Sequence, residues 1–176
     1  MTVRITKPEF NLREKLTELD YGRVPFQKMP IGSIIQVKNA QRDTSLALTA
    51  NGDILETTFT PLKSTSRMII DIRLRAREHT GNTAQWFVGL RKTLDGVITR
   101  PGGHYQMHSY SHTGQSQWVG YFNVVFDNLG SDNKEITYTL YAGPWGSNNG
   151  TVFNVNKSTG DGETNGAQLI IYEVAQ

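Results

Sequence analysis

The stretch that most constrains the fold is Met68-Ile69-Ile70-Asp71-Ile72-Arg73-Leu74-Arg75-Ala76-Arg77. From Ile70 onward it alternates without a break, with Ile70, Ile72, Leu74 and Ala76 facing one way and Asp71, Arg73, Arg75 and Arg77 the other. A period of two sustained over this length belongs to a β-strand with one face on a core and one toward water. A helix would distribute the arginines around its circumference. A lone strand cannot bury the apolar row, so the chain must supply a second sheet to cover it, and a β-sandwich follows.

Other segments read as further strands. Ile34, Ile35 and Val37 form a first one, then Leu46-Ala47-Leu48 and Ile54 to Phe59, parted by Asn51-Gly52-Asp53, a hairpin signal. Pro61 to Ser66 turns the chain into the alternating strand, and Trp86 to Arg91 is expected to run back as that strand's partner. Asp95-Gly96 marks a tight turn before Val97-Ile98, and Arg100 to Gly114 reads as a polar, aromatic loop bounded by glycines. Gln117 to Leu129 is a long strand apolar on both sides: Phe122, Val124 and Phe126 on one, Val119, Tyr121 and Val125 on the other. Such a strand is either central in a covered sheet or packed against another subunit. Ile136 to Tyr141 and Thr151 to Val155 follow. Ala167 to Val174, coming last, can enter the middle of a finished sheet. Roughly eight to ten strands with regular turn signals predict an antiparallel β-sandwich, most simply a jelly roll.

Residues 1–29 differ in kind and read as an anchor arm, with the sandwich occupying 30–176. Asn11 followed three residues later by Glu14 is a capping box, Leu12, Leu16 and Leu19 recur at helical spacing, and Gly22 is placed to end the helix. A helix of about nine residues is marginal alone in water, so its leucine stripe must dock on something. It docks either on its own β-domain or, the reading favoured here, on a partner, into which Ile5, Pro8, Phe10, Leu12, Leu16 and Leu19 insert.

Little in the chain points to chemistry. There is no cysteine, which removes thiolate ligands, thiol nucleophiles and disulfides. His104, His108 and His112 recur every four residues, but four residues of strand span about 13 Å, too far for two ligands of one ion. Around a threefold axis the same histidine from three copies can converge on an ion; otherwise these residues are solvated. No serine sits in a Gly-x-Ser-x-Gly elbow, Asp161 and Glu163 read as turn residues, and the glycine-rich loops lack the Lys-Ser/Thr that cradles phosphate. No enzyme and no cofactor is expected. A net charge of +2 gives no argument for nucleic acid, and no apolar run reaches the roughly 20 residues of a membrane span. The first ten residues lack a signal peptide's apolar block, so a soluble chain made in a cytoplasm and not exported by the usual signal is expected. Arg73, Arg75 and Arg77 read as a solvated face that blunts aggregation, with a phosphate or acidic surface as the alternative. Tyr105, His108, Tyr110 and Trp145, set among Ser, Gly and Asn, are candidates for stacking on a sugar.

The opening Ile5-Thr6-Lys7-Pro8-Glu9-Phe10-Asn11-Leu12-Arg13-Glu14-Lys15-Leu16-Thr17-Glu18-Leu19-Asp20 resembles the N-terminal segment of structural proteins of tailed bacteriophages, particularly of marine and cyanobacterial hosts. From Pro30-Ile31-Gly32-Ser33-Ile34-Ile35-Gln36-Val37 through Phe59-Thr60-Pro61 and Ser64-Thr65-Ser66 to Ala167-Gln168-Leu169-Ile170-Ile171-Tyr172-Glu173-Val174, the rest resembles the terminal β-domains of phage fibre-like virion proteins. The resemblance implies a jelly-roll-like knob, a homotrimer, an N-terminal anchor on other virion proteins of capsid or tail, and location in the virion, exposed to host surface or neighbouring capsomers. Val119, Tyr121 and Val125 are then the expected subunit contact, because an aromatic and two valines on an outer face need cover. Long fibres carry a shaft, whereas here only about ten linker residues separate arm from knob, which favours a short fibre or a capsid decoration protein. A host-glycan-binding module is the remaining alternative.

Overall fold

The computed structural model describes residues 29–80, 85–108, 114–128, 133–144, 152–155 and 166–176; at 77–80, 85, 104–108, 114–120 and 152–154 it describes only the course of the backbone. The helical arm expected within 1–29 therefore lies outside the described residues, save Met29. Every regular element described is a β-strand: β1 (Ile34–Arg42), β2 (Leu46–Leu48), β3 (Gly52–Phe59), β4 (Arg67–Thr80), β5 (Gln85–Leu94), β6 (Val97–Thr99), β7 (His104–His108), β8 (Gly114–Asp127), β9 (Ile136–Pro144), β10 (Val152–Val155) and β11 (Ala167–Val174).

Two antiparallel sheets result. In the first, β4 is flanked on one side by β8 over its whole length and on the other by β11 and then β10, which in turn pair with β1 and β2. In the second the order is β3, β9, β5, with β6 and β7 sharing the far edge of β5. Taking β1 with β2, β6 with β7 and β10 with β11 as interrupted single strands leaves eight. Their orders, first–eighth–third–sixth and second–seventh–fourth–fifth, are those that two Greek keys wind into a jelly roll.

The alternation of β4 does what the sequence requires of it. Met68, Ile70, Ile72, Leu74 and Ala76 are buried, and they meet Trp86, Val88 and Leu90 of β5 and Ile136, Tyr138, Leu140 and Ala142 of β9 in one core. Each such aliphatic side chain contributes about 1.5–3 kcal/mol on burial, enough for this face to hold the two layers together without disulfides. The last strand inserts between β1 and β4, as expected of a segment that arrives when its neighbours are in place. Asp95 (φ 51°) and Gly96 (φ 78°) both adopt positive φ, the type I′ geometry of a two-residue hairpin, and β5 and β6 pair directly across them.

Three expectations fail, each because a local turn signal does not specify which sheet receives the next strand. Asn51-Gly52-Asp53 makes no hairpin: β2 pairs with β10 in the first sheet and β3 with β9 in the second, so this turn carries the chain across the sandwich. The segment 86–91 is not the partner of β4, whose two edges are taken by β8 and by β10 and β11; it lies in β5, facing β4 across the core. The stretch 100–114 is not one loop, since His104–His108 forms β7 on the edge of β5 and Gly114 opens β8.

One end of the sandwich is closed by polar groups. The carboxylate of Glu173, fully buried on the core side of β11, accepts the amide of Leu62 with both oxygens and that of Lys63 with Oε1, all at 2.9 Å. Asn128 Nδ2 and Ser66 Oγ both donate to the Lys63 carbonyl, at 2.9 and 2.7 Å. These bonds hold the loop 60–66 as it crosses from β3 to β4. Opposite, along the β1 edge, Lys38 Nζ donates to the Thr58 carbonyl (2.5 Å) and Arg42 Nη1 to the Ile54 carbonyl (3.2 Å), tying β1 to β3 across the two layers.

Candidate functional site: the outer face of the first sheet

Strand parity decides what the first sheet shows to solvent. With the even residues of β4 and the odd residues of β11 inside, the outer face carries Arg67, Ile69, Asp71, Arg73 and Arg75 from β4 and Gln168, Ile170, Tyr172 and Val174 from β11. A register shift between Ile34 and Gln36 turns both Ile34 and Val37 of β1 outward. On β8 the outward residues of the described part are Tyr121, Asn123, Val125 and Asp127.

The registers align these residues into rows. Val37 stands opposite Tyr172, Tyr172 opposite Ile69, and Ile69 opposite Val125. One row is therefore apolar across all four strands, a distance of about 14 Å at the usual strand spacing. At its two ends Val37 is 54% exposed and Val125 is 51% exposed, with Ile69 and Tyr172 half-buried between them. Ile34 (54% exposed) and Val174 extend the band on one flank. On the other, Tyr121 is 71% exposed with the Arg73 guanidinium stacked over its ring, 5.8 Å from the centroid. Two further rows are mostly polar, Asn39–Ile170–Asp71–Asn123 and Gln41–Gln168–Arg73–Tyr121, with Gln168 Nε2 donating to Asn39 Oδ1 at 3.0 Å; in the row of Ile34 and Val174, Arg67 pairs with Asp127 at 3.1 Å. The face thus carries an apolar band framed by amides and by charges of both signs.

Of the expected contact residues, Tyr121 and Val125 lie on this face, and Val119 lies on the same strand opposite Arg75, its side chain outside the described residues. The candidate sugar-stacking residues are elsewhere. Tyr105 and His108 sit on β7 at the edge of the second sheet, opposite Val88 and Gln85, with side chains outside the described residues. Tyr110, Trp145, His112 and the arm residues Ile5, Pro8, Phe10, Leu12, Leu16 and Leu19 fall wholly outside them. His104 and His108 occupy opposite ends of one strand, so the spacing argument against a shared ion within one copy stands. Among the described residues no three potential ligands gather around a common point, and no helix is long and apolar enough to cross a membrane. Arg73 is exposed, and its guanidinium lies over the Tyr121 ring.

Reading parity strand by strand missed most of the band. Its signal was present: Met68-Ile69-Ile70 and Leu169-Ile170-Ile171-Tyr172 are apolar on both parities, which leaves Ile69, Ile170 and Tyr172 outside once the core is filled. The same parity places Glu173 in the core with Leu169 and Ile171. Near it lies the buried Tyr138, whose hydroxyl has no hydrogen-bond partner among the described residues and whose ionisation is pushed up by burial and, secondarily, by the charge of Glu173.

No protein-family model and no curated protein matches this chain. Among solved structures, one of infectious bursal disease virus, Gt strain, covers 80% of this chain and 38% of its own at 10% identity and a TM-score of 0.43. The T=1 particles derived from infectious bursal virus cover 80% and 36% at 13% identity and a TM-score of 0.40. The VP2 subviral particle of infectious bursal disease virus covers 80% and 38% at 12% identity and a TM-score of 0.38. The chain spans less than two fifths of the length of the chains it overlaps.

Proposed function

We propose that this chain is a non-enzymatic structural component of a virus particle, of the tailed-phage kind its sequence resembles, assembled with its own copies through the outer face of the first sheet. The observation that carries the reading is the in-register row Val37–Tyr172–Ile69–Val125. An apolar row left in water forgoes about 25 cal/mol for each Å² that could be buried, and here it crosses the full width of a sheet instead of appearing as scattered single residues. The jelly roll is compatible with a particle component, although lectins and cupins use the same architecture, so the face and not the fold selects the reading. The buried carboxylate, Glu173, is occupied by backbone amides and has the role of a structural latch. The segment 1–29, whose sequence predicts a capped, leucine-striped helix, supplies the attachment to other virion proteins.

Immunogold labelling and copy counting in purified particles test this. Hundreds of copies identify a head decoration protein, and about a dozen or fewer a short fibre at the tail. Absence from purified particles refutes the proposal. Glycan-array binding abolished by Trp145→Ala, in a protein absent from particles, would establish a sugar-binding module instead.

A further inference from the structure

β8 is an edge strand with a strand neighbour on one side only among the described residues, and it runs for 14 residues. Long edges attract other chains, and proteins blunt them with charge, proline or brevity. The other three edges of this sandwich follow that rule. β1 carries Lys38 and Arg42, both reaching across to β3; β3 carries Asp53 and Glu56; and the far side of β5 is split into β6, of 3 residues, and β7, of 5. From Gly114 to Phe126, β8 has no Lys, Arg, Asp, Glu or Pro.

We propose that β8 is an assembly edge that pairs antiparallel with β8 of a second copy across a two-fold axis at Asn123, fusing the two first sheets into one continuous sheet. Several features select a second copy as the occupant. An uncharged edge offers a foreign chain no charge to recognise, yet meets no like-charge repulsion from itself. With Asn123 on the axis, Tyr121 lies opposite Val125 of the second copy and Val125 opposite its Tyr121, two aromatic–β-branched pairs of the kind that stabilise sheets. The only charge on the strand, Asp127, then lies opposite Val119, so the two carboxylates are kept apart. The apolar row that ends at Val125 continues onto the neighbouring Tyr121, itself capped by Arg73. Nine residues from 119 to 127 pair, giving roughly nine backbone hydrogen bonds, the number of a standard protein interface.

The inference rests on the reading that the chain assembles with its own copies; it places a twofold contact at the sheet edge beside the outer face, and that face stays open for a further contact. An antiparallel edge pair is isologous and closes at two copies; trimers, where they occur, require a different surface.

The chain's lack of cysteine makes the test direct. In the full-length protein, Asn123→Cys is expected to form an intermolecular disulfide on mild oxidation, because residues facing each other across an antiparallel pair lie about 4.5–5.5 Å apart, within disulfide reach. Tyr121→Cys, displaced from its own copy by four residues or roughly 13 Å, is expected not to. Sedimentation velocity supplies the second measurement: the parent runs as two copies, Val125→Lys as one with unchanged far-ultraviolet circular dichroism, and Val37→Lys, at the other end of the same row, still as two. Equal dissociation by Val37→Lys and Val125→Lys, or a mass of three copies with no crosslink in the Asn123→Cys variant, overturns edge pairing and leaves self-association standing. A parent that stays monomeric to high micromolar concentration with no crosslink overturns both.

Discussion

Replacing Glu173 by alanine removes the acceptor that fastens the loop 60–66 to the end of the sandwich. In the parent, two backbone amides, those of Leu62 and Lys63, converge on this fully buried carboxylate at 2.9 Å. A donor left buried without its partner costs about 1–3 kcal/mol; Leu62 and Lys63 are half-buried, so the lower part of that range applies to each, and the pair amounts to about 2–4 kcal/mol. Alanine also relieves the cost of holding a charge out of water, which keeps the net loss from going higher. At about 2–4 °C per kcal/mol for a chain of this size, the melting temperature should fall by roughly 4–16 °C. Glu173→Gln retains one carbonyl acceptor and should lose about half as much. Denaturant titration measures the global loss, and native-state hydrogen exchange adds the local one, since the Leu62 and Lys63 amides should exchange faster even after correction for global stability. A Glu173→Ala variant within about 0.5 kcal/mol of the parent, with these two amides still protected, would refute the latch.

Other consequences are equally accessible. Burial, and then the charge of Glu173, keep the Tyr138 hydroxyl protonated above its ordinary value of 10.0, so the unfolded chain releases this proton before the folded one does. Stability from this group is therefore complete below pH 10.0 and lost above it at up to about 1.4 kcal/mol per pH unit. Tyr138→Phe should abolish that contribution to the alkaline slope and, by removing a buried hydroxyl without a partner among the described residues, should raise stability at neutral pH by about 1 kcal/mol. Gly96→Ala forces a side chain into the left-handed region of the β5–β6 turn (φ 78°) and should cost about 1–2 kcal/mol in equilibrium unfolding. Gly143→Ala should cost more than Gly96→Ala, because a Cβ there would overlap the Asn51 side chain and stand 2.7 Å from Phe87 Cζ, whereas at Gly96 it meets nothing within 4 Å. A reversed order of the two losses would show that the outer face of β9 can yield.

Local conformation was legible in short runs of consecutive residues. Alternation in β4 made a half-buried strand, Asp95-Gly96 made a tight hairpin, and the parity of residues 117–129 put Val124 inside with Tyr121 and Val125 outside. These follow from a period of two and from the positive φ that few residues tolerate, both properties of a few consecutive residues. Which strands become neighbours is another matter. The expected hairpin at Asn51-Gly52-Asp53 and the expected β4–β5 pair fail because the edges of β4 are claimed by strands from the far end of the chain, and covering an apolar face outweighs the convenience of pairing with the next segment. The exposed band is equally non-local: Val37, Ile69, Val125 and Tyr172 lie scattered over the chain, and only the registers of three strand pairs place them in one row. The burial of Glu173 was legible in its parity with Leu169 and Ile171, but the loop amides that make that burial tolerable come from more than a hundred residues away. Tertiary structure decided the neighbours because hydrogen-bonding edges and apolar faces are satisfied across space, wherever the chain brings a complement.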